Sequence, residues 1–122
     1  MFNVLIVDDE EAIRHILSSV ITSIEDKEIA VATAESGEEA VLMCQSQSFD
    51  LVLMDYTMKG IDGIESTKQM TIIQSTKVVF MTGYALDKSV REKIGKVSTH
   101  EILAKPFSIK DISRVVNTFL DS

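Results

Sequence analysis

The 122-residue sequence suffices for one domain with a core of its own and falls short of two ordinary ones. Its make-up, 45% hydrophobic and 25% charged with one proline and five glycines, excludes disordered and collagen-like classes. A formal net charge of −7, with no basic run or helix-turn-helix candidate to offset it, argues against direct binding to nucleic acid, whose phosphates need a basic surface.

In chain order, Met1-Phe2-Asn3 leads into the apolar run Val4 to Val7, a first strand, which meets Asp8-Asp9-Glu10-Glu11. There is no basic n-region and the run is too short for a signal peptide or membrane span, so the cytoplasm is the expected compartment, with no membrane partner. Ile13, Ile16, Leu17, Val20, Ile21 and Ile24 then recur at the spacing of an amphipathic helix. Ile29 to Ala34 is β-branched enough for a second strand, and Ser36-Gly37-Glu38-Glu39 has the S-x-x-E spacing of a capping box opening a helix that ends near Gln47. Cys44, the sole cysteine, lies on that helix; it can form no intramolecular disulfide, which suits a reducing compartment, and is expected to pack as a small hydrophobe.

Asp50 to Met54 is the third strand, and its apolar run Leu51-Val52-Leu53-Met54 goes straight into Asp55. A loop from Tyr56 to Gly63 and a less regular helix from about Ile64 to Ile73 follow. Val78 to Met81 is a fourth strand, ended by Thr82-Gly83. The polar-rich stretch Leu86 to Lys96 predicts a helix whose inner face is only Leu86, Val90, Ile94 and Val97, and so a loosely held one. Ile102-Leu103-Ala104 is the last strand, closed by Lys105-Pro106; Ser108-Ile109-Lys110-Asp111 resembles another cap, opening a helix with Ile109, Ile112, Val115, Val116, Phe119 and Leu120 inside. His15 and His100 are expected at the surface, and Met43, Met54, Met58, Met70 and Met81 in core or loop packing.

Strand and helix thus alternate five times across residues 1–122, which predicts an α/β domain: a doubly wound parallel sheet with helices on both faces. Right-handed crossovers return the chain to the same edge, so all strand carboxyl ends lie together. Asp8, Asp9, Asp55, Thr82 and Lys105, distant in sequence, converge on that rim. Ligands of open α/β sheets collect there.

Two carboxylates about 5 Å apart repel by roughly 3 kcal/mol at an effective dielectric near 20. Asp8, Asp9 and Asp55 together therefore invite a divalent cation, and oxygen ligands without nearby His or Cys favour Mg²⁺ over Zn²⁺. A carboxylate nucleophile beside a cation, the Lys105 ammonium and the Thr82 hydroxyl suits acceptance of a phosphoryl group on Asp55 as an acyl phosphate. Each residue also has a local explanation. Asp8 or Asp9 can cap the first helix, Asp55 the following turn, Thr82-Gly83 is a common turn pair, and a lysine before proline is ordinary.

Asp8-Asp9 after the first strand, Asp55-x-x-Met58-x-x-x-Asp62-Gly63, Thr82-Gly83 and Lys105-Pro106-Phe107 resemble the receiver domain of two-component response regulators, over essentially the whole chain. The resemblance implies a five-stranded sheet ordered 2-1-3-4-5, for which the chemotaxis regulator is a standing example. It also implies Asp55 as phosphoacceptor, Asp9 as direct Mg²⁺ ligand, Asp8 as its water-holding neighbour and the Thr57 carbonyl as a further ligand. The resemblance further implies that Lys105 pairs with the phosphoryl group, that Thr82 swings toward it, and that the Lys105-Pro106 bond is cis. The implied partners are a histidine kinase or histidine phosphotransfer protein upstream, and a downstream protein target or an output domain outside this sequence. Such a protein is no enzyme in the ordinary sense, only an acceptor that assists its own phosphorylation and dephosphorylation. Its signal leaves through the fourth helix, fifth strand and fifth helix.

Several positions depart from the family pattern. Lys59 replaces the proline expected after Met58, Ile102 stands where relatives carry Tyr or Phe, and Ser98-Thr99 stands where Gly-Ala is common. Thr57 and Tyr84 occupy positions that in relatives govern water access to the phosphate. Among rivals, a flavodoxin-like cofactor binder needs a phosphate-cradling loop where this chain has four acids. A haloacid-dehalogenase-like phosphohydrolase places its nucleophile in an Asp-x-Asp after the first strand, where the third residue here is Glu10. An unphosphorylated docking module of receiver-like fold is the third.

Overall fold

A computed structural model describes residues 1–98 and 100–120. Strands β1 (Phe2–Val7), β2 (Ile29–Ala34), β3 (Leu51–Asp55), β4 (Lys77–Thr82) and β5 (Ile102–Ala104) alternate with helices α1 (Glu11–Thr22), α2 (Gly37–Ser46), α3 (Gly63–Ile73), α4 (Lys88–Gly95) and α5 (Ile109–Leu120). All neighbouring strand pairs are parallel and the order is β2-β1-β3-β4-β5, as the alternation and the family resemblance predict. No described helix is long and apolar enough to cross a membrane.

Side chains alternate across a strand, so each buried strand feeds two cores. Leu5, Val7, Val52, Met54 and Phe80 point to one face, where Ala40 and Cys44 of α2, Met70 of α3 and Ile94 of α4 meet them. Val4, Ile6, Leu51, Leu53, Val79 and Met81 point to the other, under Leu17 and Ile21 of α1 and Ile112, Val115, Val116 and Leu120 of α5. Burial on both sides explains why these strands are continuous apolar runs. Each such side chain contributes roughly 1.5–3 kcal/mol.

The helix starts follow local chemistry. Ser36 Oγ accepts the Glu39 N–H at 3.1 Å, and Asp62 Oδ1 accepts the Glu65 N–H at 2.9 Å. At α5 the cap is reciprocal: Ser108 Oγ accepts the Asp111 N–H and Asp111 Oδ2 accepts the Ser108 N–H, both at 3.0 Å.

Four expectations need correction. Ile109 opens α5 largely exposed and is not one of its inner residues, which are Ile112, Val115, Val116 and Leu120. The fourth helix is shorter than Leu86 to Lys96, because the Asp87 carboxylate accepts the Val90 N–H at 3.1 Å and starts the helix after itself. Leu86 is therefore no inner residue and stands 91% exposed. The third strand includes Asp55, which pairs in register with Met81. His100 is only partly at the surface, its ring lying edge-on to Phe119 at 5.0 Å.

Register brings the strand ends level: Val7 lies beside Ala34 and Met54, Asp55 beside Met81, and Thr82 beside Ala104. The residue that follows or ends each of four strands is then Asp8, Asp55, Thr82 or Lys105.

Candidate functional site

Asp8 continues β1 by one residue. It is fully buried, its N–H donates to the Ala34 carbonyl at 3.2 Å, and its carboxylate is engaged at both oxygens. Oδ1 accepts the Glu10 N–H at 2.9 Å and Oδ2 accepts from Lys105 Nζ at 3.0 Å. Neither Asp8 nor Asp9 caps α1; Glu10 occupies that position, in extended conformation and without a capping side-chain bond. Asp9 and Glu10 are exposed, and together with Asp8 they present carboxylate oxygens within 4.8 Å of one another. An all-oxygen set, with two members open to water and one buried, fits a hard divalent cation that keeps part of its hydration.

Asp55 ends β3 at 4% exposure. Its Oδ1 accepts from Lys105 Nζ at 3.3 Å and from the Thr57 N–H at 3.4 Å, so it does hold the turn that follows it. Asp55 stands outside the close group of three acids and is joined to Asp8 through Lys105. The close packing of α3 against this strand end depends on Gly63: a Cβ there would run into the Asp55 carbonyl oxygen and press on Phe80 and Met54. Met58 is buried beneath the loop, while Thr57 and Lys59 are exposed and Gly60 turns the chain at φ 82°.

Lys105 follows β5. Its N–H donates to the Thr82 carbonyl at 2.9 Å, which ties it to β4, and its peptide bond to Pro106 is cis as the family resemblance implies. The ammonium lies between two buried carboxylates and neutralises part of the repulsion that sequence reasoning assigned to a metal alone. Thr82 is 2% exposed, and its Oγ1 accepts the Tyr84 N–H at 3.0 Å. In this structure Thr82 thus serves its own turn, at the end of the strand that lies between those carrying Asp55 and Lys105.

Electrostatics single out Asp55. Burial, and then the charge of Asp8, push its carboxyl from 3.8 up to about 6, against the pull of Lys105 and the Thr57 N–H. For Lys105, burial acts to lower the ammonium pKa. The bond to Asp8 and the charges of Asp55 and Asp8 together outweigh it and hold the value above the ordinary one. A carboxylate poorly solvated yet faced by a fixed cation is poised as a nucleophile.

Two residues near the rim escape a reading based on apolar stripes. Glu10 joins the acid group although its sequence position suggests only a helix-dipole role. Arg14 lies between the helix-stripe residue Ile13 and His15, and its Nη1 donates to the Asp8 carbonyl at 2.7 Å while Nη2 stands 3.6 Å from Glu35 Oε1. The signal available in sequence was an arginine one turn into a helix that follows four acids. Beside Lys105, Ile13, Ile16, Pro106 and Phe107 line an apolar hollow. Of the departures from the family pattern, Ser98 donates its hydroxyl to the Val78 carbonyl at 2.6 Å, Ile102 is half-buried, Tyr84 is exposed, and Thr99 lies outside the described residues.

Comparison with known proteins gives one consistent result. The sequence pattern of the response regulator receiver domain matches residues 4–117. The chain is 31% identical over 117 residues to the transcriptional regulatory protein ResD of Bacillus subtilis, covering 96% of this chain and 47% of that protein. Among solved structures, it is similar to chemotaxis protein CheY4 of Vibrio cholerae (TM-score 0.87, 26% identity, 98% of this chain and 99% of that one). It is also similar to response regulator TrrA of Thermotoga maritima in complex with Mg²⁺-BeF (TM-score 0.83, 29% identity, 98% and 100%). The chain spans about half the length of the curated relatives it matches.

Proposed function

The chain belongs to the response regulator receiver family, and from that premise we propose that residues 1–122 form one receiver domain that accepts a phosphoryl group on Asp55. The observation that carries this reading is the buried Asp8–Lys105–Asp55 bridge at a rim built from strand ends, with Asp9 and Glu10 alongside. The donor is a phosphohistidine of a histidine kinase or histidine phosphotransfer protein. An oxygen of Asp55 forms the new bond to phosphorus as the phosphorus–nitrogen bond of the donor breaks, and the departing imidazole takes up a proton. Lys105 is already placed to follow the charge from the Asp55 carboxylate onto the phosphoryl oxygens. Thr82, released from the Tyr84 N–H, supplies a hydroxyl donor.

In this reading Asp9, Asp8, Asp55 and the Thr57 carbonyl are the residues that would hold Mg²⁺. Bound there, the ion supplies neutralisation of the phosphoryl oxygens during transfer. The oxygen-only acid group and the Mg²⁺-BeF in TrrA support that choice of metal. The apolar hollow of Ile13, Ile16, Pro106 and Phe107 offers the donor protein a place to rest beside Lys105. The protein works in the cytoplasm, binds neither membrane nor nucleic acid through this domain, and assists its own phosphorylation and dephosphorylation.

Phosphorylation biases a two-state equilibrium, because the added anion recruits Thr82 and Lys105 better in one state than in the other. The readout surface is α4, β5 and α5, where the short α4 offers a segment that shifts, and the signal passes to a downstream protein or an output domain. Acetyl phosphate with Mg²⁺ is expected to add one phosphoryl group, seen by intact-protein mass spectrometry and absent in Asp55→Asn. Retention of the modification in that variant, or sustained turnover of a phosphomonoester by the parent, would sink the assignment.

A further inference from the structure

Asp9 is exposed, and its place depends on the two peptide groups that flank it. The peptide after it is held where the Glu10 N–H donates to Asp8 Oδ1 at 2.9 Å. The peptide before it is held at its carbonyl, where Arg14 Nη1 donates to the Asp8 oxygen at 2.7 Å. Arg14 is rooted in α1 with a side chain only 12% exposed, and its other nitrogen leans on Glu35, just past β2, at 3.6 Å. The guanidinium therefore spans from a rigid helix to the two loops at this end of the sheet.

We infer that Arg14 is a positioning residue for the cation site: by fixing the Asp8–Asp9 peptide it sets the direction in which the Asp9 carboxylate is presented. Without that bond the peptide is free to rotate about the two dihedrals beside it, and the Asp9 oxygens leave the geometry that a small octahedral ion demands. The planar fork suits the task because it reaches a carbonyl and a carboxylate at once, which an ammonium does not. This inference rests on the reading of the site as an Mg²⁺ site, and it goes against simple electrostatics. A positive charge beside the acids repels a cation, so a purely coulombic Arg14 would weaken metal binding.

The opposed signs make the test decisive. Mg²⁺ affinity is measured by calorimetry and by the rise of Tm with Mg²⁺ concentration in the parent chain, Arg14→Met, Arg14→Lys and, as a control at a distant ion pair, Arg114→Gln. Arg14→Met is expected to weaken Mg²⁺ binding roughly tenfold, the low end of what supporting partners of metal ligands contribute. Arg14→Lys is expected to weaken it by a smaller factor although the charge is kept, and Arg114→Gln to leave it unchanged. Tighter binding in Arg14→Met would show a coulombic role, and a lowered metal-free Tm with unchanged Mg²⁺ affinity would show a merely structural one; either overturns the inference. If Arg14→Met does not fold, Arg14→Lys decides, with parental affinity as the refuting result. No Mg²⁺ response in the parent would overturn the reading of the site itself, and this inference with it, whereas equal responses in parent and variants overturn Arg14 alone.

Discussion

Asp55→Asn in chelator tests the electrostatics of the rim without any metal. The Asp55 carboxyl lies at about 6 in the folded chain against 3.8 as its ordinary value. A raised carboxyl means that the folded state binds the proton more tightly than the unfolded one. Stability is then full below about pH 4 and declines as pH rises toward 6 and beyond. At about 1.4 kcal/mol per pKa unit the loss is on the order of 3 kcal/mol, and Asp55 is buried enough that solvent screening takes little of it. For a domain of this size that corresponds to roughly 3–5 °C in Tm per kcal/mol. The asparagine keeps the shape and does not titrate, and Lys105 keeps its bond to Asp8. Thermal melts in EDTA from pH 4 to 8 should show the two proteins converging at low pH, with the variant the more stable by roughly 10 °C near pH 7.5. A difference that does not change with pH, or a parent that gains on the variant as pH rises, would refute the argument. Added Mg²⁺ at ten times its Kd should then return about 1.4 kcal/mol to the parent, and less to the variant.

Three further outcomes follow from particular contacts. Gly63→Ala places a methyl group against the Asp55 carbonyl and should cost roughly 1–3 kcal/mol in urea unfolding, with slower labelling by acetyl phosphate; a neutral effect would mean that α3 can move away freely. Ser98→Ala removes the donor to the Val78 carbonyl and should cost about 1 kcal/mol, read as a shifted urea midpoint at constant m; an alanine variant of equal stability would show that the bond contributes nothing net. Asp87→Ala removes the cap of α4 and should cost about 1 kcal/mol, with faster amide exchange concentrated in Lys88–Gly95; unchanged protection there would show that packing of Ile94 alone holds the helix.

Much of the fold is legible in the sequence because both of its signals are local and periodic. Apolar runs of strand length alternate with stripes at helical spacing, and right-handed crossovers leave one arrangement of the strand ends. Where a local bond competes with the apolar pattern, the pattern misleads: Leu86 looks like the first inner residue of a helix, yet the Asp87 cap starts the helix later and leaves it outside. Arg14 leaves no mark in hydropathy, because its contact is a hydrogen bond to the main-chain carbonyl of Asp8.

That Asp8, Asp9, Asp55, Thr82 and Lys105 share one rim follows from strand polarity and chain order alone. How they are joined there depends on packing between elements far apart in the chain. Lys105 bridges Asp8 and Asp55, Thr82 is turned to its own loop, Glu10 joins the acid group, and Arg14 braces it from behind. The reason is one of scale. Periodicity places a residue to within a strand end, some 5 Å, whereas a hydrogen bond or a metal ligand is decided within a few tenths of an ångström by side-chain packing across distant elements.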